Sequence, residues 1–210
     1  MYVGRIVAVA RSSEGRLAVL YRVSSRSFPN REAQVREKAA AIVPKKGAEG
    51  DVFKNPYIAY NCLRLAGETA IATNGSQTDP ITEKIAAGMP VRDAFVSSLL
   101  TLDYEKDQYN TPRIAAAVTR GAAAGFLGVV REDGLEVRRL PLKPGECFYV
   151  CTYEKHHVTE TQQGVFKAAT AAGGAEFVLR GGVFAEMTQP VTGVCALETQ
   201  DGYEIAATQA

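Results

Sequence analysis

The stretch VGRIVAVARSSEGRLAVLYRV, Val3–Val23, decides the first step of the fold. Its flanks, VGRIVAVA and RLAVLYRV, are apolar and β-rich, and RSSEG between them is a cluster of turn formers. That pattern predicts a β-hairpin. Further along, QVREKAAAIVP reads as one more strand, followed by the glycine- and acid-bearing loop KKGAEGD. YIAYNCLRLAG and TAIATNG read as a second hairpin, turning at Gly67 and Glu68. Asp79 ahead of Pro80 predicts a helix start, because Asp caps free amides and Pro is tolerated at the first helical position. ITEKIAAG is then a short helix. Past Pro90, the apolar residues Val91, Ala94, Phe95, Leu99 and Leu102 recur at helical intervals and predict a second helix with one buried face, ending near DYEKDQYNTP.

The remainder returns to strands in RIAAAVT, AGFLGVV, LEVRRLPL and CFYVCTY, with EDG as a tight turn between the second and third. GGAEFVLRGG is a glycine-bounded helix, and VTGVCALE and YEIAAT close the chain as apolar segments. Strands, two helices, strands and a further helix imply an α+β fold of two sheets covered by helices, not an alternating βαβ fold. A chain of 210 residues supports one sizeable core, so residues 1–210 are expected to form a single domain.

Twenty-four Lys and Arg against 23 Asp and Glu leave a net charge of +1, so any basic patch is local and nucleic acid is not an expected partner. No window approaches the roughly 18 apolar residues of a membrane span, and Arg5 stands where an N-terminal secretory segment would begin. The chain therefore reads as soluble and cytoplasmic, with no membrane partner. Cys62, Cys147, Cys151 and Cys195 are too thinly spread for a disulfide framework and are expected to be reduced. A zinc reading of Cys147 and Cys151 fails on distance. Within a strand the two thiols fall on one face about 13 Å apart at roughly 3.3 Å per residue, so both are expected to be buried and structural.

Five polar-rich segments lie at the ends of predicted elements, where a rigid scaffold presents binding groups: YRVSSRSFPNR, NPYIAYN, TNGSQTD, DYEKD and YNTPR. The first packs three arginines and three serines into 11 residues with no acid, a same-sign cluster suited to an anion. In TNGSQTD, Gly75 lets the backbone approach a ligand while Asn74, Ser76 and Thr78 supply donors beside a helix start, which suits a phosphate or ribose. NG is equally a common hairpin turn. DYEKD reads either as a solvated, ion-paired helix end or as a site, with Glu105 opposite Asp103 and Asp107 if the helix continues.

The order and wording of YRVSSRSFPNR, FKNPYIAYNC, NGSQTD, LDYEKD and NTPRIAA closely resemble the archaeal-type IMP cyclohydrolase family. The resemblance runs from Tyr2 to about Tyr153 and beyond His156 is carried by little except PVTG. It implies a four-layer α-β-β-α sandwich of two mainly antiparallel sheets, like that of the N-terminal-nucleophile hydrolases. Met1 and Tyr2 lead directly into strand, so no self-processed Cys, Ser or Thr nucleophile is expected. The implied reaction closes 5-formamidoimidazole-4-carboxamide ribotide to inosine monophosphate with loss of water. The implied ligand is thus a purine nucleotide, and neither metal nor cofactor is called for.

Carried onto this sequence, the family's site puts Arg31, Tyr60, Asn61 and Glu105 around the reacting groups, with Lys106 as a further catalytic candidate. Arg22 and Arg26, with Asn74 and Ser76, are the expected phosphate and ribose contacts. Another hydrolase on the same scaffold, or a non-catalytic nucleotide sensor, remains as an alternative, and the sequence leaves room for a homo-oligomer.

Overall fold

A computed structural model describes residues 1–210. The opening hairpin, β1 (Ile6–Arg11) and β2 (Leu17–Ser24), forms as the sequence predicts. The single strand expected in QVREKAAAIVP is two, β3 (Arg31–Arg36) and β4 (Ala39–Pro44), folded back at Glu37 and Lys38 without a glycine. After a four-residue helix α1 (Asp51–Lys54) and a 3-10 turn at Pro56–Ile58 come the hairpin strands β5 (Tyr60–Ala66) and β6 (Thr69–Thr73). Gly67, at φ +54°, makes the turn between them.

Helices α2 (Thr78–Ala86) and α3 (Val91–Leu102) follow. The first begins at Thr78, and its start is not capped by Asp79. The Asp79 carboxylate instead accepts hydrogen bonds from Asn61 (2.9 Å) and Arg64 (2.8 Å), tying the helix to β5. The second half runs β7 (Arg113–Thr119), β8 (Ala124–Arg131), β9 (Gly134–Pro141), β10 (Glu146–Cys151), a short β11 (Gln163–Val165), α3's counterpart α4 (Ala171–Arg180), β12 (Pro190–Thr199) and β13 (Gly202–Gln209).

Two antiparallel sheets result. One has the order β11-β10-β1-β2-β12-β13 and the other β3-β4-β5-β6-β7-β8-β9. The opening hairpin is the centre of the first sheet, which explains its unbroken apolar runs, since both faces of a central strand in a layered fold are covered. Val7, Val9, Leu17, Val19, Tyr21 and Val23 enter the core between the sheets. Ile6, Ala8, Ala18 and Leu20 alternate with them and pack under α4. On the far side Ile71, Ala115 and Ala117 pack against Ile81, Phe95 and Leu99 of α2 and α3. The layers are therefore α-β-β-α. No helix is long and apolar enough to cross a membrane.

All four cysteines are free and buried, and burial pushes their thiols up, that of Cys151 to about 12. Cys195 also explains a glycine inside a helix. A Cβ on Gly174 of α4 would collide with the Cys195 sulfur and come within 3.1 Å of its Cβ. Gly174→Ala gains about 1 kcal/mol of helix propensity but overpacks an enclosed contact at a cost of about 1–3 kcal/mol. Urea unfolding should therefore show a net loss of stability, and an unchanged or raised midpoint would mean that the sulfur can move aside.

Candidate active site

The loop after β2 folds on itself. Ser25 accepts a hydrogen bond from the Phe28 amide (3.0 Å), and Arg31 donates from Nε to the Phe28 carbonyl (3.0 Å). These bonds hold the Arg31 side chain at the entrance of β3, 3% exposed, with its terminal nitrogens unengaged by protein acceptors. Opposite it, α3 stops at Asp103, whose φ of +56° turns the chain out of the helix. Because the helix does not continue through DYEKD, Glu105 turns inward (1% exposed) while Lys106 stays at the surface, paired with Asp103. The Glu105 amide bonds to the Thr111 carbonyl (2.8 Å), and Asp107 accepts from Thr111, closing the loop that leads into β7.

Glu105 lies between two guanidiniums. Arg5, just ahead of β1, donates from Nη2 to Oε2 at 3.0 Å, and Arg113 of β7 has Nη1 3.8 Å from Oε1. Glu105 Oε1 and Arg5 Nε are enclosed without a hydrogen-bond partner. Burial raises the Glu105 pKa above its ordinary value, and Arg5 and Arg113 offset part of that shift. Burial works against the charge on Arg5, but Glu105 and neighbouring phenols outweigh it, so its pKa moves upward.

These groups face a cleft of about 400 Å³ that Arg5, Arg31, Glu105, Asn55, Tyr57 and Tyr153 help to line. A second lobe of about 420 Å³ shares Tyr2, Ser27, Tyr109 and Tyr153 with it and adds Arg26 and Glu154. Tyr2 stacks on Tyr153 with ring centroids 5.9 Å apart, and the Arg26 guanidinium lies 3.9 Å from the Tyr2 ring centre. Tyr60, half-buried at the start of β5, lines neither lobe. Burial raises its pKa, while the Arg31 and Arg5 charges pull it back.

The structure thus gathers Arg31, Glu105 and Arg26 on the walls of one two-lobed cleft, sets Tyr60 close to Arg31 and Arg5 without lining either lobe, and disperses the other expected residues. Arg22 follows Tyr21 on a strand and so points to the opposite face, toward α4. It is 0% exposed, and its guanidinium donates to Ser24 Oγ and to the carbonyls of Phe184, Met187 and Thr188. Burial lowers its pKa to about 10. It braces the fold and reaches no cleft. Asn61 is set against Tyr60 by the same alternation and bonds to Asp79.

TNGSQTD is likewise closed on itself. Asn74 donates to the Pro112 carbonyl (2.9 Å) and accepts from the Ile114 amide (2.8 Å) and Gln77 (2.7 Å), leaving no polar atom for a ribotide. Gln77 in turn accepts from Arg113 (3.0 Å), so this turn positions the guanidinium beside Glu105. Ser76 is exposed on the turn and, like Lys106, lines neither lobe.

Arg5, Arg113, Tyr2 and Tyr153 were missed as site residues by sequence reasoning. A basic residue at the head of the apolar run VGRIVAVA, with no acid near it in sequence, was the available signal for Arg5. Arg113 closes the polar segment YNTPR.

This cleft lies in a chain whose residues 2–202 match the family model described as IMP cyclohydrolase-like protein. The chain belongs to that family. It is 48% identical over 206 residues to a Methanosphaera stadtmanae protein named IMP cyclohydrolase, an alignment that covers 98% of each chain. Proteins of the same name from Methanococcus maripaludis strain C7 and Methanocaldococcus jannaschii are 45% and 40% identical over 207 residues, covering 98% of this chain and 99% and 98% of their own. Family likeness therefore extends through β12 and α4, well past the motifs that end near Tyr153.

The Arg22 assignment yields a stability test. Arg22→Ala takes from the buried Met187 its carbonyl's donor and removes the bonds to the Phe184 and Thr188 carbonyls, and should cost about 1–3 kcal/mol in urea unfolding. A loss below about 1 kcal/mol would overturn the bracing role.

Proposed function

We propose that the chain is an IMP cyclohydrolase that closes 5-formamidoimidazole-4-carboxamide ribotide to inosine monophosphate. The observation that carries this reading beyond family membership is Glu105: a buried carboxylate that lines the same cleft as Arg31, with Oε2 held by Arg5 and Oε1 enclosed without a hydrogen bond.

In the reaction the carboxamide nitrogen bonds to the formyl carbon. The formyl oxygen then leaves as water, taking one proton from each of the two nitrogens. Both reacting groups belong to one molecule, so the protein has to hold the reactive rotamer, stabilise charge on the oxygen and move protons. Arg31 and the Tyr60 phenol stabilise the developing oxyanion, as preorganised donors do. Glu105 accepts the nitrogen proton and relays it toward the leaving oxygen. Arg113 and Arg5 orient Glu105 and restrain its pKa. No step calls for a Lewis acid or a redox carrier. The outer lobe, with Arg26 and Ser27 at its rim, takes the ribose and phosphate, and the tyrosines offer apolar faces beside them. A nucleotide sensor has no use for a buried acid facing an anionic ligand, which disfavours that alternative. A cytoplasmic location belongs to the same reading, supported by four free, buried thiols of the kind found in reducing compartments.

The direct test is to incubate the purified protein with the formamido ribotide and measure inosine monophosphate; no conversion above the uncatalysed rate would sink the reading. Prior dialysis against a chelator should leave turnover unchanged.

Glu105→Gln keeps the size of the side chain but removes the proton acceptor, so kcat should fall by roughly 100-fold to 10,000-fold with little change in product affinity. Because burial raises the Glu105 pKa, its base form is lost on acidification at a higher pH than for a free glutamate. The wild-type acid limb should therefore lie above the ordinary glutamate value and disappear in Glu105→Gln. Lys106→Ala, altering an ammonium outside both lobes, should leave kcat and KM unchanged. Near-normal turnover in Glu105→Gln would move the acid–base role elsewhere.

A further inference from the structure

Tyr21 of β2 and Tyr60 of β5 meet across the space between the two sheets. Their hydroxyl oxygens are 2.5 Å apart and their rings are edge to face, with centroids 6.4 Å apart at 80°. Either hydroxyl could be the donor on distance alone, but the surroundings decide the direction. Tyr21 is 0% exposed, and its hydroxyl has no protein partner besides Tyr60. If Tyr60 gave its proton to Tyr21, the Tyr21 proton would be enclosed with no acceptor, an arrangement that folded proteins avoid. The charged neighbours, Arg5 ahead of β1 and Arg31 on β3, have no acceptor atoms to offer. Cys62, two residues along β5, already directs its thiol to the Ala40 carbonyl at 3.3 Å.

We infer that Tyr21 is a positioning residue for ring closure: it donates its proton to the Tyr60 oxygen and thereby leaves the Tyr60 proton directed at the formyl oxygen of the substrate. This inference rests on the cyclohydrolase reading and extends it to a residue that touches no ligand. A phenol that receives a hydrogen bond is a stronger donor in its own right, because successive hydroxyls polarise one another. Burial holds the Tyr21 phenol well above its usual pKa, so the relay is in its donor form across the whole working range of pH. The bridge also joins the two sheets directly, Tyr21 from the one and Tyr60 from the other, so the distance of Tyr60 from Arg5, which leads into β1, depends on how the sheets are spaced.

Two measurements test the direction and its consequence. In the first, the ionisation of Tyr60 is followed from the ring resonances of carbon-labelled tyrosine, its signal assigned by its loss in Tyr60→Phe. With Tyr21 as donor, Tyr21→Phe removes a hydrogen bond to the Tyr60 phenolate, and Tyr60 should ionise at higher pH. An unchanged or lower ionisation pH would show that Tyr21 does not donate to Tyr60, and that result would overturn the inference whether or not the protein turns over the ribotide.

The second is a kinetic cycle on folded variants checked by thermal unfolding. Tyr21→Phe should lower kcat roughly 10-fold, less than the loss of a direct oxyanion donor, with KM little changed. On a Tyr60→Phe background the same substitution should have no further effect. Independent, multiplicative losses, or wild-type kcat in Tyr21→Phe, would refute the positioning role. Absence of turnover in the wild type would instead refute the cyclohydrolase reading.

Discussion

Glu105 can sit inside the protein because Arg5 and Arg113 flank it, and much of the structure around the cleft serves to keep those three groups together. A lone carboxylate in that place would be costly, and so would either guanidinium after loss of the acid; removing one member of such a buried set costs about 3–5 kcal/mol in general. Each member comes from a different part of the chain. Arg5 leads into the central strand of one sheet, Arg113 opens a strand of the other, and Glu105 lies on the loop that leaves α3. The charge cluster is therefore assembled only when the sheets stack.

The scaffold around the cluster repeats this division of labour. Asn74 and Gln77, at the end of β6, make bonds that fix Arg113, and Arg113 in turn donates to the Asp103 carbonyl at 2.8 Å, where the helix stops. A turn that looks suited to a phosphate is thus the brace for a buried carboxylate. Polar residues that line neither lobe still shape the cleft, because they fix the guanidinium that flanks its buried carboxylate. Burial of Glu105 has a second effect. It raises the pKa above that of a solvated glutamate, and Arg5 and Arg113 oppose part of that rise.

The local elements of the fold were largely legible in the chain. Alternation and turn residues located the hairpins at Val3–Val23 and Tyr57–Thr73, and the Val91, Ala94, Phe95, Leu99 pattern located α3, because these signals arise from neighbours within a few residues. The β3–β4 turn was not legible, since Glu37 and Lys38 carry no turn signature, and α1 is too short to show a period. Of the site, Arg31 and Glu105 could be located through motifs and are found at the cleft. Asn61 and Arg22 were not separable from Tyr60 and Tyr21, because adjacent strand residues share a motif but face opposite sides.

By itself, then, the sequence determined most of the secondary elements, the two-sheet class and the family, all of which depend on local chemistry or on runs of matching residues. Only the tertiary structure decided which polar residues share a cavity. Arg5 meets Glu105 across 100 positions and Tyr21 meets Tyr60 across 39, and no periodicity along the chain encodes those distances. The stacking of two twisted sheets sets them, through the packing of Val7, Val9 and Leu127 between the layers, and the alternation that sends Tyr21 between the sheets sends Arg22 to the opposite face, into the fold.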